Sequence, residues 1–258
     1  MDEVPQRIRL FYGLGSVAEG TKDTAFNIFL LFYYNNVLGL SGSLSGLAIF
    51  LALCVDALTD PALGSISDNT RSRWGRRHPY MYAAAIPMAL AVVALFNPPT
   101  DLDQLGLFAW LTGFAIATRV AMTFYSVPSN AMVPEMTEHY DERTVLIGYR
   151  FLFGWLAGLI VAILGYVVFF AERPDGSDGR LVAEAYTRFG WLCAAIIAIG
   201  ILVCAAGTHR IIPQLKMPAA PPRRSLSGFF GELKAVFANR SFRMLFFGAL
   251  FSAAGWGY

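Results

Sequence analysis

Apolar residues are gathered into six long segments along the first 208 residues, and short polar segments separate them. Each segment is close to or above the roughly 20 residues that an α-helix needs to cross a bilayer. The pattern therefore predicts an all-α membrane protein with at least six crossings. We number the segments spans 1 to 6, and their predicted bounds are Ile8 to Leu38, Ser43 to Ser67, Pro79 to Asn97, Leu105 to Val133, Val145 to Phe170 and Tyr186 to Thr208.

The composition supports a chain that sits in a lipid bilayer. Hydrophobic residues make up 56% of the 258 positions and charged residues 15%, whereas a soluble domain carries about 25% charged residues. The net charge of +2 gives no support to nucleic-acid binding. No nucleophile–base pair, phosphate-binding motif or metal-ligand spacing appears, so we expect neither an enzyme nor a bound cofactor.

Basic residues mark alternate loops between the spans. Acidic residues instead follow span 3, in the sequence PPTDLDQ. Because short cytoplasmic loops carry an excess of lysine and arginine, the pattern predicts a cytoplasmic N-terminus. We expect the membrane to be a bacterial inner membrane. The basic residues that flank spans 1, 2 and 6 are Arg7, Arg9, Arg71, Arg73, Arg76, Arg77, Arg210, Lys216, Arg223 and Arg224.

The sequence predicts three regions. Residues 1–212 form the six-span bundle, and residues 213–240 form a cytoplasmic linker with an amphipathic helix. Residues 241–258 begin a seventh span, whose apolar run starts near Met244 and stops at Tyr258. Since this run is shorter than the roughly 20 residues of a crossing, we expect either a fragment of a longer transporter or a shortened reading frame.

Asp56 and Asp60 stand one helical turn apart inside span 2. A carboxylate near the bilayer centre costs roughly 2.5–3.5 kcal/mol, so two on one helix face are expected to border a wet cavity and bind a positive group. The pair therefore predicts a cation site in a transporter. The alternative is that both carboxylates pair with arginines and only fix helix packing.

The loop after span 2 resembles a known family. The stretch GSISDNTRSRWGRRHPY, from Gly64 to Tyr80, together with the preceding DALTDPALG, is similar to the signature of the glycoside-pentoside-hexuronide:cation symporters, within the major facilitator superfamily. YGLG, from Tyr12 to Gly15, matches earlier in the chain, and DERTVLIGYRFLFGWLAG, from Asp141 to Gly158, matches later. The resemblance implies twelve helices in two six-helix bundles, each made of two inverted three-helix repeats, with substrate between the bundles. This chain would supply the N-terminal bundle and the start of helix 7, and its partner would be the missing C-terminal half.

The resemblance also implies a set of cation ligands. Asp56 and Asp60 match the family's acidic pair, which binds the coupling sodium ion or proton together with a threonine that matches Thr123. Thr59 stands where a family member has an asparagine ligand, which leaves the preferred cation open between sodium and proton. Carboxylate and hydroxyl oxygens suit a hard monovalent cation, and no other metal is expected.

The substrate site departs from the family pattern. The two carboxylates that hold the sugar in the family fall on Gly20 and Ser126 in this chain. Asp23 follows Gly20 by about one helical turn and Asn27 by a further turn, so both lie on the same side of span 1. We therefore expect Asp23 to substitute for the absent carboxylate, unless it pairs with a neighbouring charge.

Two arginines within the spans are further candidates for substrate binding. Arg150 in span 5 matches a family arginine that lines the sugar cavity. Arg119 in span 4 has no family counterpart that we recognise, and its guanidinium could hold the carboxylate of a hexuronide. The alternative for Arg119 is an ion pair with a carboxylate on a neighbouring helix.

The signature loop predicts a gate. Asp68 lies just past span 2, and Arg76 and Arg77 lie just before span 3, so these charges can pair in one conformation only. The alternative is that the arginines only set the topology.

Together these features predict a cation-coupled secondary symporter of sugars, glycosides or hexuronides that works by alternating access. An alternative of the same fold is a cation-dependent carrier of lysolipids or other amphiphiles, since the sugar-binding carboxylates are absent from their expected places. A non-transporting membrane scaffold or sensor is an alternative of another class. That alternative predicts lost cation ligands, whereas this sequence retains them.

Overall fold

The computed structural model describes residues 4–173, 176–215, 238–239, 243–244 and 248, and every regular element among them is helical. The α-helices are α1 Gln6–Leu14, α2 Ser16–Thr24, α3 Gly42–Asn69, α4 His78–Leu95, α5 Gln104–Ala131, α6 Val133–Met136, α7 Tyr140–Leu164 and α8 Ala183–Thr208. Three π-helical segments among these residues are Ala25–Leu30, Tyr33–Val37 and Gly165–Phe169. Two 3-10 segments are Gly179–Leu181, which precedes α8, and His209–Gln214, which follows it.

Spans 2 to 6 are present as helices long and apolar enough to cross a membrane. Their ends differ from the predicted bounds by a few residues only. The all-α fold class is therefore confirmed for the described residues. These helices are Gly42–Asn69, His78–Leu95, Gln104–Met136, Tyr140–Phe169 and Ala183–Pro213.

Span 1 is helical, but it is built from short segments. α1 and α2 contain nine residues each, and Gly15 lies between them with its N–H donating to the Tyr12 carbonyl at 3.3 Å. After Thr24 the helix widens into two π-helical turns. Span 1 consequently lacks the long regular helix of the other five. Such widened turns often accompany functional positions in helices.

The contacts between spans follow a twofold pattern. Span 1 packs against spans 5 and 6, span 4 packs against spans 2 and 3, and span 3 packs against span 6. Exchanging spans 1, 2 and 3 with spans 4, 5 and 6 leaves this set of pairs unchanged. Two equivalent three-helix repeats give such a pattern, and three crossings per repeat invert the second relative to the first.

Spans 1 and 5 approach each other through glycines. A Cβ atom added to Gly20 would lie 2.0 Å from the carbonyl oxygen of Gly154, and one added to Gly158 would lie 2.8 Å from Thr24 Oγ1. Small residues allow this close backbone contact between membrane helices. The glycine at position 20, where the family has a sugar-binding carboxylate, is therefore required by the packing of these two spans.

The chain divides into two compact units, Met1–Met217 and Pro218–Tyr258. All six spans and both cavities discussed below lie in the first unit. The predicted amphipathic helix of residues 213–240 and the predicted start of span 7 at 241–258 fall almost entirely outside the described residues. Both therefore stay predictions.

Candidate functional site

A threonine from span 4 lies between the two acidic residues of span 2. Thr123 Oγ1 is 3.2 Å from Asp56 Oδ1 and 2.8 Å from Asp60 Oδ1. The same hydroxyl oxygen is 3.1 Å from the backbone carbonyl of Arg119, one turn earlier in α5. The structure thus brings together three of the four residues that the sequence predicts as cation ligands.

This hydroxyl has fewer hydrogens than acceptors. A threonine hydroxyl carries one hydrogen, but three acceptor oxygens lie within hydrogen-bond distance of Thr123 Oγ1. At most one or two of these contacts can share that hydrogen. The remaining contact, at 3.1 or 3.2 Å, joins two oxygens without a hydrogen between them. A proton on a carboxylate or a cation among the oxygens would make that contact favourable. The donor set is therefore suited to either coupling ion.

The two carboxylates have different surroundings. Asp56 Oδ2 accepts a hydrogen bond from Arg119 Nη1 at 2.9 Å. Asp60 is exposed, and among the described residues it makes no ion pair. The Thr59 hydroxyl donates to the Asp56 backbone carbonyl at 3.2 Å, within its own helix. Thr59 therefore contributes to the helix geometry here, and its predicted role as a ligand stays a prediction.

A cavity of about 330 Å³ surrounds this group between spans 1, 2 and 4. It contains the predicted cation residues other than Thr59, together with Arg119 and Ser126, which the sequence placed in the substrate site. The lining residues are Glu19, Lys22, Asp23, Asp56, Asp60, Arg119, Met122, Thr123, Ser126 and Asn130.

A larger cavity of about 1060 Å³ lies between spans 1 and 5, and the end of span 4 closes one side of it. It contains Asp23, Asn27 and Arg150 from the predicted substrate set. Arg119 and Ser126 are not among its lining residues, so the structure divides the predicted substrate residues between two cavities. Glu19, Asp23 and Asn130 border both cavities and connect them.

Arg150 is held by a carboxylate that the sequence analysis did not assign to the site. Its Nη2 atom is 2.5 Å from Glu19 Oε1, its Nη1 atom donates to Ser129 Oγ at 2.7 Å, and its guanidinium lies over the Tyr12 ring. Asp23 instead pairs with the adjacent Lys22, at 2.5 Å. Glu19 is thus the span 1 carboxylate that contacts Arg150. The sequence signal for Glu19 is that a charged residue lies inside an apolar membrane span.

The signature loop forms the predicted ion pair and also contacts an acidic residue outside the loop. Arg77 Nη2 is 2.5 Å from Asp68 Oδ1 and 3.0 Å from Glu135 Oε1. Arg76 Nη2 is 2.5 Å from the same Glu135 oxygen. Glu135, in α6, therefore holds both arginines, a role that the surrounding sequence PEMTEHYDERT, which has no basic excess, did not indicate.

Comparison with known proteins identifies the family of the chain. A family profile described as MFS/sugar transport protein matches residues 11–258. The chain belongs to this family of the major facilitator superfamily. Its resemblance to the glycoside-pentoside-hexuronide:cation symporters and its position in their N-terminal half fit the relatives that it matches.

Three relatives illustrate the range of names in the family. A protein of Synechocystis, named an uncharacterised symporter, is 32% identical over 85% of this chain and 40% of its own length. A putative glycoside/cation symporter of Escherichia coli is 30% identical over 63% of this chain and 35% of its own length. An isoprimeverose transporter of Lactiplantibacillus pentosus is 28% identical over 75% of this chain and 39% of its own length.

The chain spans about two fifths of the length of these relatives. The relatives are named transporters and symporters, and the chain is an integral membrane protein of a transporter family rather than an enzyme.

Proposed function

We propose that the chain forms the cation-binding half of a symporter that couples sodium or proton entry to uptake of a sugar, glycoside or hexuronide. The observation that carries the proposal is the Thr123 hydroxyl, which has three acceptor oxygens around it and one hydrogen. A sodium ion or a proton resolves this surplus of oxygens. Asp60 is the point of entry, because it is exposed and lacks a basic partner among the described residues.

The substrate binds in the larger cavity. Its Glu19–Arg150 pair offers sugar hydroxyls a charged acceptor and a fork of N–H donors, which together recognise polyols with directional bonds. The ring of Trp155 lies exposed on another part of the same wall. A second six-helix half completes the cavity, as the lengths of the relatives suggest.

The coupling follows from the shared residues of the two cavities. A cation at Asp60 reduces the negative charge next to Glu19 and Asp23, and so favours the state that binds substrate. Binding of both solutes then permits the two bundles to rock against each other. The Asp68–Arg77 pair acts as a latch in one of these states. The basic loops and the bacterial relatives support a bacterial inner membrane and a cytoplasmic N-terminus.

A second candidate substrate is an amphiphile such as a lysolipid. The larger cavity follows α7 from Arg143 to Ala162, which corresponds to roughly 28 Å at 1.5 Å per residue. Phe151, Trp155 and Leu159 give this wall an apolar surface. Such a groove is long enough to hold an acyl chain, with Arg143 near one end to contact a headgroup.

Ligand-dependent thermal unfolding tests these proposals. The chain is reconstituted in lipid nanodiscs and heated in sodium chloride or in choline chloride of equal ionic strength, at several pH values. A bound cation stabilises the folded state in proportion to its occupancy. We expect stabilisation by sodium or by protonation that Asp60→Asn abolishes and that Asp101→Asn, in the loop after span 3, retains.

The same assay distinguishes the substrates. A neutral glycoside, the corresponding hexuronide and a lysolipid are added in turn to the cation-loaded protein. Stabilisation by the glycoside or hexuronide, lost in Arg150→Gln, supports the sugar site, whereas stabilisation by the lysolipid alone supports the amphiphile. Melting curves that are equal in sodium and choline at every pH, and that Asp60→Asn changes at no pH, would show that the cation proposal is wrong.

A further inference from the structure

The charges that line the smaller cavity are almost completely paired. Lys22 is 2.5 Å from Asp23, and Arg119 is 2.9 Å from Asp56. Glu19 is paired with an arginine of the larger cavity. Among the described lining residues, Asp60 is the carboxylate that has no basic partner. The cavity as a whole therefore has a deficit of one positive charge.

Arg119 divides the oxygens of Asp56 between two functions. Its Nη1 atom donates to Oδ2 of Asp56, whereas Oδ1 lies 3.2 Å from the Thr123 hydroxyl, which also contacts Asp60. The Arg119 side chain is 17% exposed, and its Nε atom is buried without a hydrogen-bond partner in the structure. A guanidinium is charged at any physiological pH, so this positive charge is permanent. A cation bound to Oδ1 must therefore share the site with it.

The charge of a carboxylate site decides which ions it binds. Affinity for calcium and other divalent ions rises with the number of ligand charges, and two unpaired carboxylates with a hydroxyl would be a plausible start for such a site. With Arg119 present, a divalent ion at Asp56 and Asp60 would leave an excess positive charge within the membrane, which is costly. A single sodium ion or proton leaves the group neutral.

We propose that Arg119 is a built-in counter-ion that restricts the Asp56–Asp60 site to one positive charge and so excludes divalent cations. The inference rests on the proposed function, because it assigns the selectivity of the same cation site. It uses Arg119 as a specificity-determining residue that acts through Asp56. Removing the guanidinium should leave two unpaired carboxylates, which bind sodium more tightly and bind calcium as well.

The test compares cation binding by the wild-type chain and by Arg119→Gln in nanodiscs, with ²²Na⁺ and ⁴⁵Ca²⁺ as probes and with proton uptake followed by pH. We expect the wild type to bind sodium or a proton and no calcium. Arg119→Gln should bind sodium roughly tenfold or more tightly, in line with the effect of one nearby charge. It should also acquire saturable calcium binding, which a further Asp60→Asn change removes.

Two variants separate charge from structure. Arg119→Lys keeps the positive charge and should not gain calcium binding. Arg119→Met keeps only the apolar stem and should gain calcium binding, so it provides the test even if Arg119→Gln does not fold. Sodium and proton binding absent from the wild type would overturn the proposed function itself. A wild type that binds sodium, with neutral Arg119 variants that gain neither affinity nor calcium, would overturn this inference alone.

Discussion

Replacing Glu135 by alanine removes the acceptor that the two arginines of the signature loop share. Glu135 Oε1 accepts from Arg76 Nε at 3.1 Å and Nη2 at 2.5 Å, and from Arg77 Nε at 3.0 Å. The side chains of Glu135 and Arg77 are 7% and 5% exposed. The change therefore leaves two largely buried guanidinium groups short of a partner.

The expected cost follows from this burial. Removing one partner of a buried ion pair typically destabilises a protein by about 3–5 kcal/mol. Arg77 keeps its contacts to Asp68 and to the Ser67 hydroxyl, so we expect a value near the lower limit, about 3 kcal/mol. The Asp68 side chain is 48% exposed, and Asp68→Asn should cost less than about 1 kcal/mol, as for exposed pairs.

Reversible unfolding by sodium dodecyl sulfate in mixed micelles measures both free energies. Glu135→Gln is the matched control, since it keeps an acceptor oxygen but loses the charge, and it should fall between the other two variants. A cost for Asp68→Asn equal to or greater than that of Glu135→Ala would refute the reasoning. In that case the exposed pair would stabilise the loop, and Asp68 could not be a latch that opens readily.

Three further predictions concern the site and its support. In proteoliposomes that contain both six-helix halves of the transporter, Asp60→Asn should abolish cation-driven accumulation of substrate while the protein still folds. Thr123→Ala should weaken accumulation less, because one neutral oxygen is lost; unchanged accumulation would contradict the cation assignment. Gly20→Ala should destabilise the fold by about 1–3 kcal/mol, because the added methyl group would overpack the contact between spans 1 and 5. Gly148→Ala, whose Cβ position has open space around it, should not destabilise the fold. Equal melting temperatures for the two variants would argue against the helix contact. Arg150→Lys should weaken substrate binding about tenfold or more, measured by calorimetry, because an ammonium lacks the planar fork that reaches both partners; unaltered affinity would exclude Arg150 from the site.

The sequence predicts the spans well because each is a long apolar segment with charged ends. It also predicts the contact between Asp56, Asp60 and Thr123, through spacing for the two aspartates and through family resemblance for the threonine. Those residues are few in number and chemically distinctive within apolar helices. The positions of spans 2 to 6 and of the acidic pair can thus be predicted from the sequence alone.

Side-chain partners across spans were less accessible. Glu19 and Asp23 lie one helical turn apart on nearly the same face of span 1, so the axial register of spans 1 and 5 decides that Glu19 contacts Arg150. The glycine contact between spans 1 and 5 fixes that register. Glu135 was missed because its loop has no basic excess, and its partners come from a distant loop. Pairing between helices depends on their relative register, which hydrophobic periodicity alone does not specify.

The twofold pattern of span contacts relates two of the ion pairs to each other, because the spans joined by one pair are equivalent to those joined by the other. Asp56–Arg119 joins span 2 to span 4, and Glu19–Arg150 joins span 5 to span 1. Exchanging the repeats converts one crossing into the other with the signs of the charges reversed. The same type of helix crossing thus occurs twice in this bundle, once as a negative-to-positive and once as a positive-to-negative pair. Under the proposed function, the first pair adjoins the cation and the second adjoins the organic substrate, so the two crossings serve different solutes.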